Sequence, residues 1–362
     1  MNARTWILAG GWLACFAASG DAREWYVDVT RGHDGNEGTE AAPLATAQRA
    51  VDAATPGDTI HLLPVGAVYR QSMTFKNRSG LTIEGHEVTL DGSDPLPEGG
   101  WENVGDGLRR RKLPRTVQDR HLLSFDGRTE RMGRTQSRNA RPFPKPADLK
   151  DGQFCVEAID DKHCWLYVRG EAGKLEWSTR MNGLATGGEN RGIVVRNLMA
   201  RRFLNDGFNL HGNAVEMRFD RIDGYDCFDE GFSAHETCEC LIEHGRFWGN
   251  ENAIADVNFS RTEYRHCEFH ESVGTDVLLA GAGHKLIDCL IVNTPPSTAI
   301  SFSVRNDQDK DSSLILERVR VRSSVKDAKP IVRFDGGQVS VRACDFGDAD
   351  LTISRNSKVA FE

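Results

Sequence analysis

Two stretches of the chain are near copies set 24 residues apart, Asn205-Asp206-Gly207-Phe208-Asn209-Leu210-His211 and Asp229-Glu230-Gly231-Phe232-Ser233-Ala234-His235. Each has acid or amide groups at a turn, apolar residues two apart, and a His at the far end. If one copy lies on the other, Asp206 stacks with Glu230, Asn205 with Asp229 and His211 with His235, while Glu251 and Asn252 continue the first two columns. Three close carboxylates, Asp206, Asp229 and Glu230, cannot all stay charged unaided, so either a cation bridges them or one holds a proton. In the first case hard oxygen ligands from Asp206, Asp229, Glu230 and Glu251 suit Ca²⁺. The ion neutralises a uronate carboxylate and His211 or His235, or a lysine or arginine from elsewhere, removes the adjacent C–H proton, which is β-elimination. In the second case paired carboxyl groups hydrolyse a glycosidic bond, with retention at about 5 Å separation and inversion at wider spacing. A third reading has no chemistry: Asn and Asp at tight turns satisfy their own backbone and stack as ladders. The outward His in both copies favours a site, because later coils carry Val257, Ala280 and Ser303 in that slot.

The positioning elements follow from the spacing. The Gly231 slot recurs at Ala253, Asp276 and Ala299, and a second column runs Phe247, Phe269, Ile291, with Cys267 and Cys289 two residues before the last two. A period of 22 to 24 residues with two-residue alternation marks a solenoid of stacked strands. Runs such as Gly192-Ile193-Val194-Val195-Arg196-Asn197 and Ser313 to Val321 are β-branched and punctuated by Gly, Asn and Asp, which excludes helical repeats. Asp256 lands on the inward column, so it is either out of register or buried with a partner. Phe208, Leu210, Phe232 and Ala234 point inward; Asn209, His211, Ser233 and His235 point outward.

The opening of the chain adds a resemblance. Tyr26-Val27-Asp28, Asp34 to Thr39, Pro43-Leu44-Ala45-Thr46, Ala50 to Ala54 and Pro56 to Ile60 are similar to the start of secreted right-handed parallel β-helix proteins of the pectate-lyase-like superfamily. The resemblance implies a short helix plugging the open end of the solenoid, and Leu44, Ala47, Val51 and Ala54 make an apolar face suited to that role. It covers about residues 25 to 92 by motif and 190 to 346 by repeat, and bears on fold more than on reaction. The fold class expected is therefore all-β, a right-handed single-stranded parallel β-helix with an N-terminal helical cap and an inserted hairpin and loop region. The acidic turns also resemble the paired-aspartate motifs of polygalacturonases, but the chain has no Gly-His-Gly and no later Arg-x-Lys.

Residues 95–182 have no such period and hold a hairpin expected around Phe154 to Val168. Within them, 108–150 carry 13 Lys or Arg against 4 Asp or Glu, in a chain whose net charge is −8. A basic patch on an acidic chain implies an anionic partner, here an acidic polysaccharide, or else counter-charges from the solenoid itself. Arg128, Arg131, Arg134 and Arg138 are the expected contacts if this loop folds over the groove; Asn209, Lys285 and Arg305 are further candidates, and Glu236 is placed to orient an imidazole.

Composition bounds the rest. With 39% hydrophobic residues and 36 glycines, the 362-residue chain fits a turn-rich β protein of one long domain, 23–362. Arg4, an apolar run from Trp6 to Ala18 and small residues to Ala22 form a secretory signal peptide over 1–22, implying a secreted or periplasmic protein. Cys15 inside it allows a lipoprotein, but Trp12 argues against one. No later apolar run is long enough to span a bilayer. Eight cysteines follow the leader; Cys267, Cys289 and Cys344 suit an inward column of free thiols, and Cys155 and Cys164 are the expected disulfide. No organic cofactor, no closed zinc site and no nucleic acid are expected, and the protein is expected to be a monomer. Three functions remain: a lyase of acidic polysaccharide foremost, a glycoside hydrolase, or a non-catalytic carbohydrate-binding or structural β-helix.

Overall fold

The computed structural model describes residues 22–116, 118, 120–133, 144–170, 173–304 and 312–362. The leader, apart from Ala22, lies outside them, as do Arg134, Arg138 and Arg305. None of the described helices is long and apolar enough to cross a membrane.

Parallel strands stack coil on coil. One nine-stranded sheet runs, in spatial order, Met73–Lys76, Leu184–Gly187, Phe208–Leu210, Glu230–Ala234, Asn252–Val257, Thr275–Ala280, Thr298–Ser303, Ile331–Asp335 and Asp350–Ile353. A sixteen-stranded sheet and a two-stranded parallel sheet, Glu189–Arg191 with Asn213–Val215, form the rest of the wall among the described residues. The register is the one the spacing implied: Phe208 lies opposite Phe232, Phe232 opposite Ile254, Ile254 opposite Val277, and Val277 opposite Ile300. Phe247, Phe269 and Ile291 align in the second column. Phe208, Phe219, Phe232, Phe247 and Phe269 are fully buried and pack ring against ring, and each such side chain removed from water contributes about 1.5–3 kcal/mol.

The bend that closes each coil explains the cysteine column. Asn197, Arg221, His244, His266, Asp288, Arg318 and Ala343 all take left-handed backbone angles. Each is followed by a residue packed on the core, Leu198, Ile222, Gly245, Cys267, Cys289, Val319 or Cys344, so the cysteines fill one slot of this corner column. Burial raises the Cys267 thiol well above its ordinary value, consistent with an inert filler. Asp256, the residue that broke the inward pattern, is in register and fully buried. Its Oδ1 accepts from the Ala234 amide at 3.0 Å, and its Oδ2 from Thr262 at 2.7 Å and Tyr264 at 2.8 Å.

Burial pushes the Asp256 carboxyl up to about 7. An unfolded aspartate ionises near 4, so the folded state holds a proton that the unfolded state has lost across about pH 4 to 7. Stability therefore falls as pH rises through that window, by roughly 4 kcal/mol from this group. Asp256→Asn, which cannot ionise, is expected to flatten the slope in chemical denaturation measured from pH 4 to pH 8; an unchanged slope would remove Asp256 as its source.

Two expectations need correction. The helical cap reduces to one helix, Ala47–Ala53, capped by the Thr46 hydroxyl, with Ala47, Ala50 and Val51 buried. Seven residues are too few to make a helical layer, and Leu44 and Ala54 flank the helix rather than belong to it. The Cys155–Cys164 disulfide is absent, and both thiols are free. The hairpin pairs Cys155 with Tyr167 and Ala158 with Cys164, so the two cysteines are three positions out of step.

The insertion interrupts one coil. Leu184 pairs with Met73 across it, so the solenoid closes as if the intervening residues were absent. Those residues build two four-stranded antiparallel sheets around their own core, in which Leu123, Phe154, Leu166, Val168 and Trp177 are buried. Buried ion pairs bind them to the solenoid: Arg202 reaches Glu176 and the Gly127 carbonyl, and Ser178 donates to the Arg202 carbonyl at 2.7 Å. The hairpin formed by Arg120–Phe125 and Arg128–Gly133 is thereby held against the turns at Asn205 and Asp229.

Candidate active site

The repeated glycines make the close stacking of the acidic turns possible. A Cβ on Gly207 would lie 2.8 Å from the Gly231 carbonyl oxygen, and one on Gly231 would lie 2.6 Å from that of Gly224. The column extends one coil further back, to Gly183, where a Cβ would lie 2.4 Å from the Gly207 carbonyl. Asn182-Gly183 is thus a third copy of the turn, 24 residues before Asp206-Gly207, and that interval is visible in the sequence. Its amide oxygen accepts from Asn205 Nδ2 at 2.9 Å and from the Asp206 amide at 3.3 Å.

Asp206, Asp229 and Glu230 converge, each offering an oxygen within 4.8 Å of the others. Their exposures are 1%, 2% and 7%, so water screens them poorly. Asp206 is the acceptor of the group. Its Oδ2 takes hydrogen bonds from Asn209 and from the Ser233 hydroxyl at 2.7 Å, and its Oδ1 from the Glu230 amide at 3.1 Å. Glu230 is the donor. Burial first, then the charges of Asp206 and Asp229 and a hydrogen bond to Asp206, hold its carboxyl well above the usual range. Asn252 donates to Glu230 Oε1 at 2.8 Å, which leaves Oε2 for the proton.

Asp229 hydrogen-bonds Glu230 and also has a partner outside the trio. Burial and the Asp206 charge raise its carboxyl, and the Arg120 guanidinium opposes them through an ion pair at 2.8 Å. Arg120 also donates to Asn205 Oδ1 and to the Leu204 carbonyl, and lies over the Phe228 ring. Sequence reasoning missed this residue, because its contacts with the repeat span 85 positions. Glu251, expected as a fourth metal ligand, stands outside the trio and faces Arg131 at 3.5 Å.

The histidines stack as expected, with ring centroids 4.1 Å apart and planes 10° from parallel. Glu236 orients His211, at 3.0 Å from Nδ1, rather than its sequence neighbour His235. Burial, and then the nearby His211, push His235 down to about 4, so its imidazole is neutral at physiological pH. The remaining candidates are engaged elsewhere. Asn209, expected to face outward to substrate, is buried and bonds Asp206. Arg131, expected to touch substrate, donates to the Cys227 and Gly249 carbonyls and faces Glu251. Arg128 pairs with Glu130, and Lys285 with Glu263 at 3.2 Å on the larger sheet, away from the acids. Arg120, Arg128 and Arg131 of the insertion therefore meet counter-charges within the protein, two of them from the solenoid's own acids.

No protein-family model matches the chain, and no curated protein matches it. Solved structures do. A complex of XylC with xylose matches at TM-score 0.67 and 13% identity, over 93% of this chain and 68% of that one. A structure described as a glycoside hydrolase matches at TM-score 0.59 and 12% identity, over 94% of this chain and 96% of that one. Pectate lyase Pel9A matches at TM-score 0.47 and 9% identity, over 92% and 78% of the two chains. At such identities the likeness establishes the fold: this chain is a parallel β-helix.

Proposed function

We propose that the protein is a retaining glycoside hydrolase acting on glycans outside the cytoplasm, with Asp206 as nucleophile and Glu230 as acid and base. The observation that carries this is the division of roles between two adjoining carboxyl groups, one a fixed acceptor and one holding a proton. A carboxylate held by hydrogen-bond donors beside a carboxyl raised by burial is a pairing that acid-and-nucleophile catalysis can use. Their oxygens lie within 4.8 Å of one another, which is nearer the close spacing of retention than the wider spacing that inversion needs for a water. Asp206 attacks the anomeric carbon as Glu230 protonates the departing glycosidic oxygen, giving a glycosyl ester on Asp206. Glu230, now ionised, takes a proton from water, which hydrolyses the ester and restores both groups. Asp206 is 1% and Glu230 7% exposed, so this reading requires the site to open when a sugar enters. The likeness in fold to a structure described as a glycoside hydrolase supports the same reading.

β-Elimination fits less well. It needs a strong base beside the sugar, and a neutral imidazole held down to about 4 is a weak one. It also needs a cation over the substrate carboxylate. Arg120 already supplies positive charge to the trio, and Asn209 and Ser233 already occupy an Asp206 oxygen, where Ca²⁺ would want six to eight free oxygen ligands. Incubation with neutral and acidic glycans is expected to release new reducing ends without the absorbance of an unsaturated uronate. Chelation with EDTA is expected to leave the rate unchanged. Unsaturated products, or a rate abolished by EDTA and restored by Ca²⁺, would favour the lyase instead.

A further inference from the structure

We propose that two copies of the chain join end to end through the open edges of the last coil, Asp350–Ile353 and Lys358–Phe361, about a two-fold axis that crosses Thr352 and Ala360. Among the described residues, Asp350–Ile353 pairs only with Ile331–Asp335, and Lys358–Phe361 only with Gln338–Arg342. The core columns run on into this coil: Leu351 lies beside Val332, Ile353 beside Phe334, Val359 beside Val339 and Phe361 beside Val341. One coil earlier those positions are buried, whereas Leu351, Ile353 and Phe361 are 40%, 41% and 58% exposed. The first coil is closed by contrast. Along Glu24–Asp28 the Tyr26 amide donates to the Gly38 carbonyl at 2.9 Å, and the Asp28 amide to the Leu44 carbonyl at 2.8 Å. A head-to-tail stack therefore finds that edge already taken, which favours the same surface of a second copy.

The surface is complementary to itself. The Lys358 amide donates to the Gly337 carbonyl and the Glu362 amide to the Val341 carbonyl, both at 2.8 Å, while the Asp350 and Ser354 amides bond Pro330 and Phe334 in the same way. The peptide groups of the residues between them, Val359 and Phe361, and Leu351 and Ile353, then point to the open side. Antiparallel pairing centred on Ala360 sets Val359 opposite Phe361 of the second copy, and pairing centred on Thr352 sets Leu351 opposite Ile353. Free donors thus meet free acceptors, and apolar side chains meet on the core side. One axis serves both strands, because Thr352 and Ala360 each lie four residues from Asn356 in the turn that joins them. Leu351 ends the column that begins with Phe232, and Phe361 the column of Phe219, two rings that pack across the core 5.2 Å apart. The same register places Lys358 opposite Glu362 of the second copy, twice by symmetry, and within each copy Arg342 holds Glu362 beside the edge at 2.9 Å.

The contact lies five strands along its sheet from Glu230–Ala234, so it stands whether or not the carboxyl groups cleave a glycan. The test is sedimentation velocity of the full chain and its variants from about 1 to about 200 µM. Wild type is expected to pass from one copy to two as concentration rises, with no larger species, since a two-fold contact uses up both edges. Lys358→Glu sets like charges opposite at both ends of the contact and is expected to raise the dissociation constant at least about 10-fold. Phe361→Ser, which removes an exposed apolar side chain, is expected to do the same. The charge swap Lys358→Glu/Glu362→Lys is expected to recover the association. All three positions are exposed, so each variant is expected to keep the wild-type circular dichroism spectrum. A single copy at every concentration overturns the proposal. So does a pair indifferent to Lys358→Glu, a charge swap that recovers nothing, or an assembly that grows beyond two copies.

Discussion

Asp206→Asn is expected to abolish glycan cleavage, lowering kcat by more than about 10³-fold while the protein stays folded. The amide matches the carboxylate in size and keeps an oxygen for the Ser233 hydroxyl or the Glu230 amide, so the turn between Asn205 and Gly207 is preserved. What it loses is nucleophilicity. It also loses the charge that helps keep Glu230 protonated, so the variant's Glu230 is expected to ionise at lower pH than in wild type. Addition of azide, a small anion able to occupy the space before an amide, is expected to restore part of the rate with an activated substrate and to leave a glycosyl azide. Full activity in Asp206→Asn, measured beside a circular dichroism spectrum matching wild type, would remove Asp206 from the reaction.

Glu230→Gln is expected to lower kcat/KM by about 10²- to 10⁴-fold on natural glycans, the range a positioned general acid supplies. The loss depends on the leaving group. Aryl glycosides whose phenolate departs unaided should form the Asp206 ester at nearly the wild-type rate and then stall, because no base activates the water. In wild type the raised carboxyl sets the alkaline limb of the pH profile: activity is lost as pH rises through the Glu230 value, and Glu230→Gln is expected to lack that limb. Equal losses on good and poor leaving groups would contradict the assignment of Glu230 as acid.

The sequence carried the solenoid because its columns repeat at short, nearly constant intervals. Phe208 and Phe232, or Phe247 and Phe269, must face one another for the core to fill, and the two-residue alternation says which face. The acidic turns were legible for the same reason, and Asn182-Gly183 belonged to the same interval though its lack of a His hid it. Asp256 was recognisable as an inward acid, but its partners Thr262 and Tyr264 lie around the bend on another strand, where spacing gives no guide. The insertion escaped for a physical reason. Antiparallel strands take their register from individual turns rather than from a period, so the offset between Cys155 and Cys164 was invisible and a disulfide looked reasonable. Charge composition misled in a related way. Counting arginines says that counter-charge is needed, whereas only the fold shows that Asp229, Glu251 and Glu130 provide part of it.

Arg120 marks the boundary of what a repeat can reveal. The solenoid brings the three carboxylates together, and the insertion supplies a buried guanidinium that pairs with one of them, Asp229.

The most direct measurement is the configuration of the first sugar released, followed by proton NMR at the anomeric position in the minutes before mutarotation. Asp206 and Glu230 as a closely spaced nucleophile and acid require the product to keep the configuration of the bond that was cut. An inverted product, or an unsaturated sugar with no anomeric change, would contradict that assignment of the two carboxyl groups.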